Sequence, residues 1–436
     1  MKRLLLGGIH PDERKELSLG NTLKMEPRPG QVVISMSQHI GVPCSPLVKP
    51  GDMVKKGQKV GDGEGLCVPV HASVSGKVTA VEPRPHPGGR DIMAVVIEND
   101  FKDTLDDTMV PHPDYTKLEN EEIIDIIREA GIVGMGGATF STNVKVLSSV
   151  EKTNTLIANA CECEPYITAD DTLLRMNPDQ VLEGMKIIRH VLKPERTVLA
   201  IEDNKKEAIE ILKCKLENEK GIELCVLPTR YPQGAEKQLI QAVTGREVGS
   251  GQLPSSVGCA VFNVSTFAAV YKAICLGLPV TERIVTVTGE GVRNPGNYEV
   301  RIGTSYEELV KDSGGLSDDV WKVISGGPMM GVAQKDLQTP IIKGTNAVLC
   351  LSQAQNGESE TQVCIRCGKC LTVCPMRLQP LYMYCYEKTK DVKALEQLHI
   401  MDCIECGCCA YECPGKLGLV ETFRNAKQLV KEAKSK

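Results

Sequence analysis

Two short cysteine-rich stretches near the C-terminus have the composition and spacing to bind metal clusters. One runs from Cys364 to Pro375 and the other from Cys403 to Pro414, and both follow the pattern C-x2-C-x2-C-x3-C-P. Thiolates at this spacing bind [4Fe–4S] clusters, and in two-cluster ferredoxins the fourth cysteine of each run ligates the other cluster. The sequence therefore predicts two clusters, one ligated by Cys364, Cys367, Cys370 and Cys413 and the other by Cys403, Cys406, Cys409 and Cys374.

Structural zinc is the alternative for cysteines that lie two residues apart. A zinc site takes four ligands, commonly as two pairs, whereas each stretch here supplies a quartet that is closed by Cys-Pro. The spacing therefore favours iron–sulfur clusters, which accept and release single electrons. Cys408 lies inside the second stretch at the wrong spacing, and we interpret it as a bystander.

Composition limits the classes of function. The chain has 436 residues and a net charge of −5, which argues against nucleic acid as a partner because such proteins present a basic face. Beyond the eight predicted ligands, the 19 cysteines lack the spacing of a disulfide framework, so we expect a reducing cytoplasm. The apolar run near the N-terminus is too short for a signal peptide. The apolar window at 259–280 contains polar residues, and we expect a buried helix and not a membrane span.

Four folded units are predicted after an irregular lead-in at residues 1–30. Residues 31–105 contain β-runs at 32–34, 59–61, 76–81 and 94–97. Within this unit, two phrases at 48–58 and 70–78 resemble the lipoyl and biotinyl family of β-sandwiches. At the position of that family's modified lysine this chain has His71. We therefore expect an unmodified barrel-sandwich hybrid that acts as a docking or spacer domain, since a fold alone carries no function.

Residues 115–282 alternate between helical and extended patterns. An amphipathic helix at 119–130 begins with acidic residues and ends at a glycine. It is followed by predicted strands at 155–158, 197–201 and 223–227 and by predicted helices at 180–191, 205–216 and 235–243. Such alternation indicates a parallel sheet covered by helices, as in a Rossmann-like domain.

The remaining units are smaller. Residues 283–350 contain a predicted strand at 284–288 and a predicted helix at 304–314, and they resemble a β-grasp module of the SLBB type. A polar linker at 353–360 leads into a helical, ferredoxin-like cluster domain at 355–436. There, helices are predicted at 379–399 and 421–436, the latter Lys-rich and interpreted as a solvated face. The fold class is therefore multidomain, with α/β and α+β units.

Four stretches of the α/β unit could bind a nucleotide cofactor. The first, at 130–145, is a Gly-rich turn after a helix, and its backbone N–H groups can hold a phosphate. The second, at 159–166, ends a predicted strand, where ligands bind in open α/β sheets. The alternatives are an ordinary turn for the first and helix-capping acids for the second. The candidate residues of all four are Gly134, Gly136, Gly137, Lys145, Asn159, Glu162, Glu164, Tyr231, Gly234, Glu236, Asn263 and Thr266.

In this order, and ahead of a cluster domain, the four stretches resemble the flavin- and NADH-binding subunit of respiratory complex I. The resemblance implies a flavin and NADH pocket lined by Gly134, Gly136, Gly137 and Lys145. It implies flavin contacts from Asn159, Glu162, Asn263 and Thr266. Glu164 and Glu236 are expected to position the nicotinamide nucleotide, with Tyr231 and Gly234 in the third element. The chain departs from the family at Met135, Thr139, Cys161 and Ala235, where the family has Arg, Gly, Asp and Glu.

Nearly the whole chain resembles the RnfC family, a component of the Rnf electron-transport complex. The resemblance includes Gly7–Pro11, the sandwich, the flavin-like unit, Gly326–Gly331 and the cysteine stretches. It implies the NAD(H)-side subunit of a membrane-bound ferredoxin:NAD+ oxidoreductase, with FMN, NAD(H) and two [4Fe–4S] clusters. Sister membrane and ferredoxin-type subunits would translocate Na+ or H+, and ferredoxin would be reached indirectly. The expected location is the cytoplasmic side of the membrane, held peripherally through those subunits.

Flavin suits this arrangement because NADH gives or takes two electrons as hydride, whereas a cluster moves one at a time. Hydride transfer itself needs no general acid or base, so no catalytic side chain is predicted. Two alternatives remain open at this point. One is a soluble corrinoid reductase, which shares flavin, the β-grasp module and two cluster runs. The other is a non-catalytic electron-transfer adaptor that no longer binds nucleotide.

Overall fold

The computed structural model describes residues 7–20, 23–25, 28–217, 219, 221–356 and 361–434. The apolar run at residues 4–6 and the predicted linker beyond Asn356 lie outside the described residues. The prediction of an irregular lead-in is wrong in part. The lead-in contains a 3-10 turn at Lys15–Leu17 and a strand, β1 (Lys24–Met25), which pairs with a strand of the third unit.

The first unit is a pair of small β-sheets. Its strands are β2 (Gln31–Ser35), β3 (Ser45–Pro46), β4 (Met53–Val54), β5 (Lys59–Asp62), β6 (Val70–His71), β7 (Gly76–Pro85) and β8 (Asp91–Asn99). One sheet has the order β2-β8-β7-β4 and the other β3-β5-β6. Alternating apolar side chains such as Val32 and Ile34 are fully buried between them, which is the pattern of a sandwich core. His71 is buried in β6, so it is not an exposed hairpin residue that could be modified.

The second unit is a parallel sheet with helices. Its elements are α1 (Asn120–Glu129), α2 (Thr142–Ser149), β9 (Thr155–Ala160), α3 (Ala169–Met176), α4 (Pro178–Leu192), β10 (Arg196–Glu202), α5 (Lys206–Leu216), β11 (Glu223–Leu227), α6 (Glu236–Thr244), β12 (Cys259–Asn263) and α7 (Val264–Leu276). The sheet order is β11-β10-β9-β12, with every pair parallel. Helices α4 and α7 cross closely, because a Cβ on Gly184 would lie 1.9 Å from the Phe267 carbonyl oxygen.

The prediction of one buried helix over 259–280 is wrong. The window splits into strand β12, which pairs with β9, and helix α7. Asn263 marks the change, because its side chain caps α7 by accepting the backbone N–H of Ser265 at 2.9 Å. Among the described residues, no helix combines the length and the apolar character that crossing a membrane requires.

The third unit is a mixed sheet with one helix. Its elements are β13 (Glu282–Thr288), β14 (Gly296–Arg301), α8 (Tyr306–Asp312), β15 (Val320–Ser325), β16 (Val332–Ala333) and β17 (Ala347–Ser352). The sheet order is β1-β14-β13-β17-β15-β16, so the lead-in supplies the strand at one edge. Tyr306 of α8 is completely buried in the core of this unit.

The fourth unit is helical. Its elements are α9 (Gln353–Asn356), α10 (Lys369–Thr372), α11 (Pro380–Lys388), α12 (Val392–Gln397), α13 (Cys408–Tyr411) and α14 (Leu419–Lys434). The helix predicted at 379–399 is two helices, because Lys390 adopts a φ of 54° that ends α11. Helix α14 is more than a solvated face, since Phe423 and Val430 pack into the core of this unit.

Candidate functional site

The eight predicted cluster ligands line two cavities in the fourth unit. The first cavity is lined by Cys364, Cys367, Cys370 and Cys413. The second is lined by Cys374, Cys403, Cys406 and Cys409. The fourth cysteine of each stretch thus lies with the first three of the other stretch. Within the described part of the chain, no three or more His, Cys, Asp or Glu residues converge as a single metal ion would require.

The two cysteine stretches share a backbone conformation. In each, the residue before the second cysteine has a φ of 56°, namely Arg366 and Glu405. The residue after that cysteine is a glycine at the start of a short helix, with φ of 77° at Gly368 and 79° at Gly407. Burial raises the pKa of the Cys403 thiol to about 11, whereas a coordinated thiol is deprotonated by the charge of its metal. The donor set and its backbone therefore fit two [4Fe–4S] clusters.

A third, much larger cavity of about 700 Å³ lies where the first three units meet the fourth. Its volume is within the range of small-molecule sites. Nine of the twelve predicted flavin and nucleotide residues line it: Gly136, Gly137, Asn159, Glu162, Glu164, Tyr231, Gly234, Glu236 and Asn263. Asn159 and Asn263 follow from the sheet, because they occupy the carboxyl ends of the neighbouring strands β9 and β12.

The other three predicted residues, Gly134, Thr266 and Lys145, do not line the cavity and support those that do. Gly134 closes a tight turn, donating its N–H to the Phe140 carbonyl at 2.8 Å. Thr266 accepts the Met135 N–H at 3.0 Å and so ties the Gly-rich loop to α7. Lys145 forms an ion pair with Glu236 at 2.5 Å.

The Gly-rich loop leaves open space on the cavity side. Gly137 has a φ of 114°, and a Cβ built there would meet no atom within 4 Å. Gly136 packs against Asn263, with 3.3 Å between its ideal Cβ position and the Asn263 Cβ. A backbone without side chains lets a flat ring approach closely. The loop therefore fits the floor of a flavin site.

Glu162 behaves as the helix-capping alternative predicts. Its carboxylate accepts the backbone N–H of Asp170 at 2.8 Å and of Asp171 at 3.4 Å, at the start of α3. Burial raises the pKa of Glu162 to about 7, against the opposing influence of the Lys15 ammonium. Glu162 thus both caps α3 and lines the cavity.

Glu164 holds a loop of the third unit. Its Oε1 accepts the backbone N–H groups of Met329 at 2.7 Å and Met330 at 3.1 Å. Burial raises the pKa of this carboxyl group. The loop also reaches the second cluster cavity, because a Cβ on Gly407 would lie 3.1 Å from the Met329 carbonyl oxygen. The Gly326–Gly331 stretch is therefore a bridge between the two cavities.

Tyr231 joins the large cavity to the fourth unit. Its hydroxyl donates to the Cys406 carbonyl oxygen at 2.7 Å, and its backbone pairs with Ile9 of the lead-in. Ile404 and Cys406 line both the large cavity and the second cluster cavity. The second cluster cavity is therefore the nearer of the two to the candidate flavin site.

Sequence reasoning missed two parts of the site. Cys408, interpreted as a bystander, is fully buried and lines the second cluster cavity; its position one residue before Cys409 was the available signal. The hairpin between β7 and β8 contributes His86, Pro87 and Gly88 to the large cavity. Its Pro-His-Pro-Gly-Gly sequence indicates a turn and gives no sign of what the turn faces.

Family models match four consecutive parts of the chain. They are described as the RnfC barrel sandwich hybrid domain at residues 4–102, the Nuo51 FMN-binding domain at 127–272, the SLBB domain at 284–333 and the 4Fe-4S dicluster domain at 357–414. These matches confirm the predicted fold class. They also confirm the two predicted classes of bound cofactor, FMN and [4Fe–4S] clusters.

A solved structure shares the fold over much of the chain. It is the crystal structure of an NAD+-reducing [NiFe]-hydrogenase in the H2-reduced state, which matches with a TM-score of 0.52. The match covers 74% of this chain and 65% of that chain at 18% sequence identity. At that identity the likeness concerns the fold alone.

Three relatives, all C subunits of redox complexes, match over almost all of this chain. That of the Na(+)-translocating ferredoxin:NAD(+) oxidoreductase complex of Acetobacterium woodii is 46% identical, over 97% of this chain and 96% of the relative. Its proton-translocating counterpart in Clostridium ljungdahlii is 43% identical, over 98% and 94%. That of the ion-translocating oxidoreductase complex of Serratia proteamaculans is 43% identical, over 98% of this chain and 61% of the relative. This chain therefore belongs to the RnfC family of ion-translocating ferredoxin:NAD(+) oxidoreductase complexes.

Proposed function

We propose that this chain is the NAD(H)-side subunit of a ferredoxin:NAD+ oxidoreductase complex. It would pass electrons between NAD(H), FMN and two [4Fe–4S] clusters while sister subunits translocate Na+ or H+. One observation carries the proposal: Ile404 and Cys406 are shared walls of the large cavity and the second cluster cavity. A cofactor in the large cavity would thus adjoin one cluster, with the other cluster beyond it.

The residues of the large cavity have distinct proposed roles. The Gly136–Gly137 backbone, with Asn159 and Asn263, would hold the flavin ring system, which when bound exchanges hydride for single electrons. Glu164 would act indirectly, since its carboxylate is occupied by the loop at Met329. Glu236 would position the nicotinamide nucleotide, with its orientation set by Lys145.

The first cluster cavity is proposed as the port to partner proteins. Cys364 and Cys367 are exposed, and between them Ile365 is 67% exposed, with Val363 next to them at 81%. An exposed apolar rim around a redox site suits docking of a ferredoxin-type protein of the complex. We propose that such docking holds the chain peripherally at the cytoplasmic side of the membrane. The proposed unit limits are 31–105, 115–282, 283–350 and 355–436, after a lead-in at 1–30.

Anaerobic titration of the FMN-replete protein with NADH tests the proposal. We expect the visible flavin absorbance to bleach and paramagnetic signals of reduced clusters to appear in electron paramagnetic resonance spectra. Failure of NADH to bleach a flavin that dithionite does bleach would refute the NADH half of the proposal.

The order of the clusters needs a matched pair of variants. In Cys406→Ser, NADH should still bleach the flavin but no longer reduce the first cluster, which dithionite would still reduce. In Cys367→Ser, NADH should still reduce the second cluster. If NADH reduced the first cluster equally well in Cys406→Ser, the electrons would not pass through the second.

A further inference from the structure

The hairpin between β7 and β8 belongs to the sandwich unit but faces the large cavity. His86, Pro87 and Gly88 line the same cavity as Gly136 and Asn263 of the flavin unit. A docking or spacer domain, which is the role the sequence favours, would have no reason to reach a cofactor site. The position of the hairpin therefore needs a separate explanation.

Hydrogen bonds hold the hairpin in a defined shape. His86 Nδ1 accepts the Gly88 N–H at 3.0 Å, and His86 Nε2 lies 2.9 Å from the Ser37 carbonyl oxygen. An accepting Nδ1 and a donating Nε2 together require the neutral ring. Burial and then the nearby Arg90 charge lower the pKa of His86, which agrees with a neutral ring.

The hairpin is also joined to the opposite wall of the cavity. Gln334 Nε2 donates to the Pro87 carbonyl at 3.0 Å and to the Val332 carbonyl at 2.8 Å. Val332 lines the cavity next to the loop that Glu164 holds. Sandwich and β-grasp units therefore form one continuous outer wall, opposite the Gly-rich floor.

A second ligand above the flavin must extend toward this outer wall. Hydride transfer places the nicotinamide ring against the flavin, near the Gly-rich loop, so the other half of the dinucleotide lies farther out. The cation that acts on the His86 ring is Arg90, at the end of the hairpin. Arg84, in contrast, is paired with Glu82 at 2.6 Å. A cation at the cavity edge suits the diphosphate and adenylate portion of the ligand.

We propose that the 86–90 hairpin of the sandwich unit binds the ADP-ribose half of NAD(H). The inference rests on the proposed function, and it assigns the sandwich a part in substrate recognition. It also predicts a selectivity for dinucleotide over mononucleotide that depends on this hairpin.

Gly89 allows a test with two isosteric variants. It has a φ of 80°, and a Cβ there would meet no atom within 4 Å. Asn and Asp tolerate this conformation better than other residues. Gly89→Asp places a negative charge at the tip, and Gly89→Asn is its neutral control. Affinities for NAD+ and for nicotinamide mononucleotide would be measured by isothermal titration calorimetry on the FMN-replete protein.

We expect Gly89→Asp to weaken NAD+ binding about two- to fivefold relative to Gly89→Asn, as for a screened surface charge. The loss should shrink at high salt, while affinity for the mononucleotide and the flavin content stay equal in both variants. Equal NAD+ affinities in the two variants would overturn the inference, as would an equal loss for the mononucleotide. If the wild type bound neither ligand and NADH did not bleach its flavin, the proposed function itself would fail instead.

Discussion

The Tyr231 hydroxyl donates a 2.7 Å hydrogen bond to the carbonyl oxygen of Cys406, which is one of the thiols around the second cluster cavity. The two residues are 175 positions apart in the chain. Because Tyr231 also lines the large cavity, this bond fixes the separation between the candidate flavin site and the nearer cluster.

Tyr231→Phe should therefore slow electron flow from flavin to cluster. The variant leaves a buried carbonyl without its donor, at a cost of about 1–3 kcal/mol, and loosens the contact between the two units. In anaerobic stopped-flow experiments with NADH, we expect flavin bleaching at the wild-type rate and slower cluster reduction. Tyr382→Phe, at a side chain that is 49% exposed, is the control. Equal rates of cluster reduction in the two variants would contradict the role assigned to this bond.

Exchange of the fourth cysteines between the two stretches makes a separate prediction. Cys413→Ser should remove the cluster of the first cavity and spare that of the second, because Cys413 lies with Cys364, Cys367 and Cys370. Iron content should fall by about half, and electron paramagnetic resonance should retain the signal of one cluster. Cys374→Ser should give the reciprocal loss.

Cys385→Ser is the matched control, since Cys385 is exposed on α11 and lines neither cluster cavity. It should keep both clusters. If Cys413→Ser instead removed the cluster associated with Cys403, each stretch would ligate its own cluster.

The cysteine spacing, the flavin-type stretches and most strands could be read from the sequence because each is a local pattern. Strand β11 was predicted at its observed limits, and α5 differs by one residue. The window at 259–280 shows where local patterns fail, since a continuous apolar run has no period that distinguishes a buried strand from a buried helix.

The relationship between units could not be read in this way. The contact of Glu164 with Met329 and that of Pro87 with Gln334 join residues 165 and 247 positions apart. Nothing in either local sequence specifies its partner. Such contacts decide which predicted residues reach the cavity and which, like Thr266, support it from behind.

Glu162 should make stability depend on pH. Its pKa rises from an ordinary 4.5 to about 7 on folding, chiefly through burial. The folded state therefore holds a proton that the unfolded state releases, so this contribution is fully present below pH 4.5 and is lost as the pH rises to 7.

Thermal melting across this pH range, with wild type and Glu162→Gln compared, isolates that contribution. The glutamine variant should lose stability less steeply between pH 4.5 and 7, because its side chain is neutral throughout while its amide oxygen can still cap α3. Parallel melting curves for the two proteins would show that Glu162 is ionised at the same pH in the folded and unfolded states.

Gly7 should be intolerant of a side chain because the lead-in touches a cluster ligand. It has a φ of 77°, and its Cβ would lie 2.5 Å from the Cys374 carbonyl oxygen, while Gly8 donates to the Val373 carbonyl at 2.8 Å. Gly20 has a φ of 88° with no atom within 4 Å, so Gly20→Ala incurs the backbone strain without the collision. We expect Gly7→Ala to be less stable than Gly20→Ala by about 1–3 kcal/mol, measured by thermal melting, with faster proteolysis between the lead-in and the cluster domain. Equal melting temperatures would mean that the lead-in does not hold the cluster domain in place.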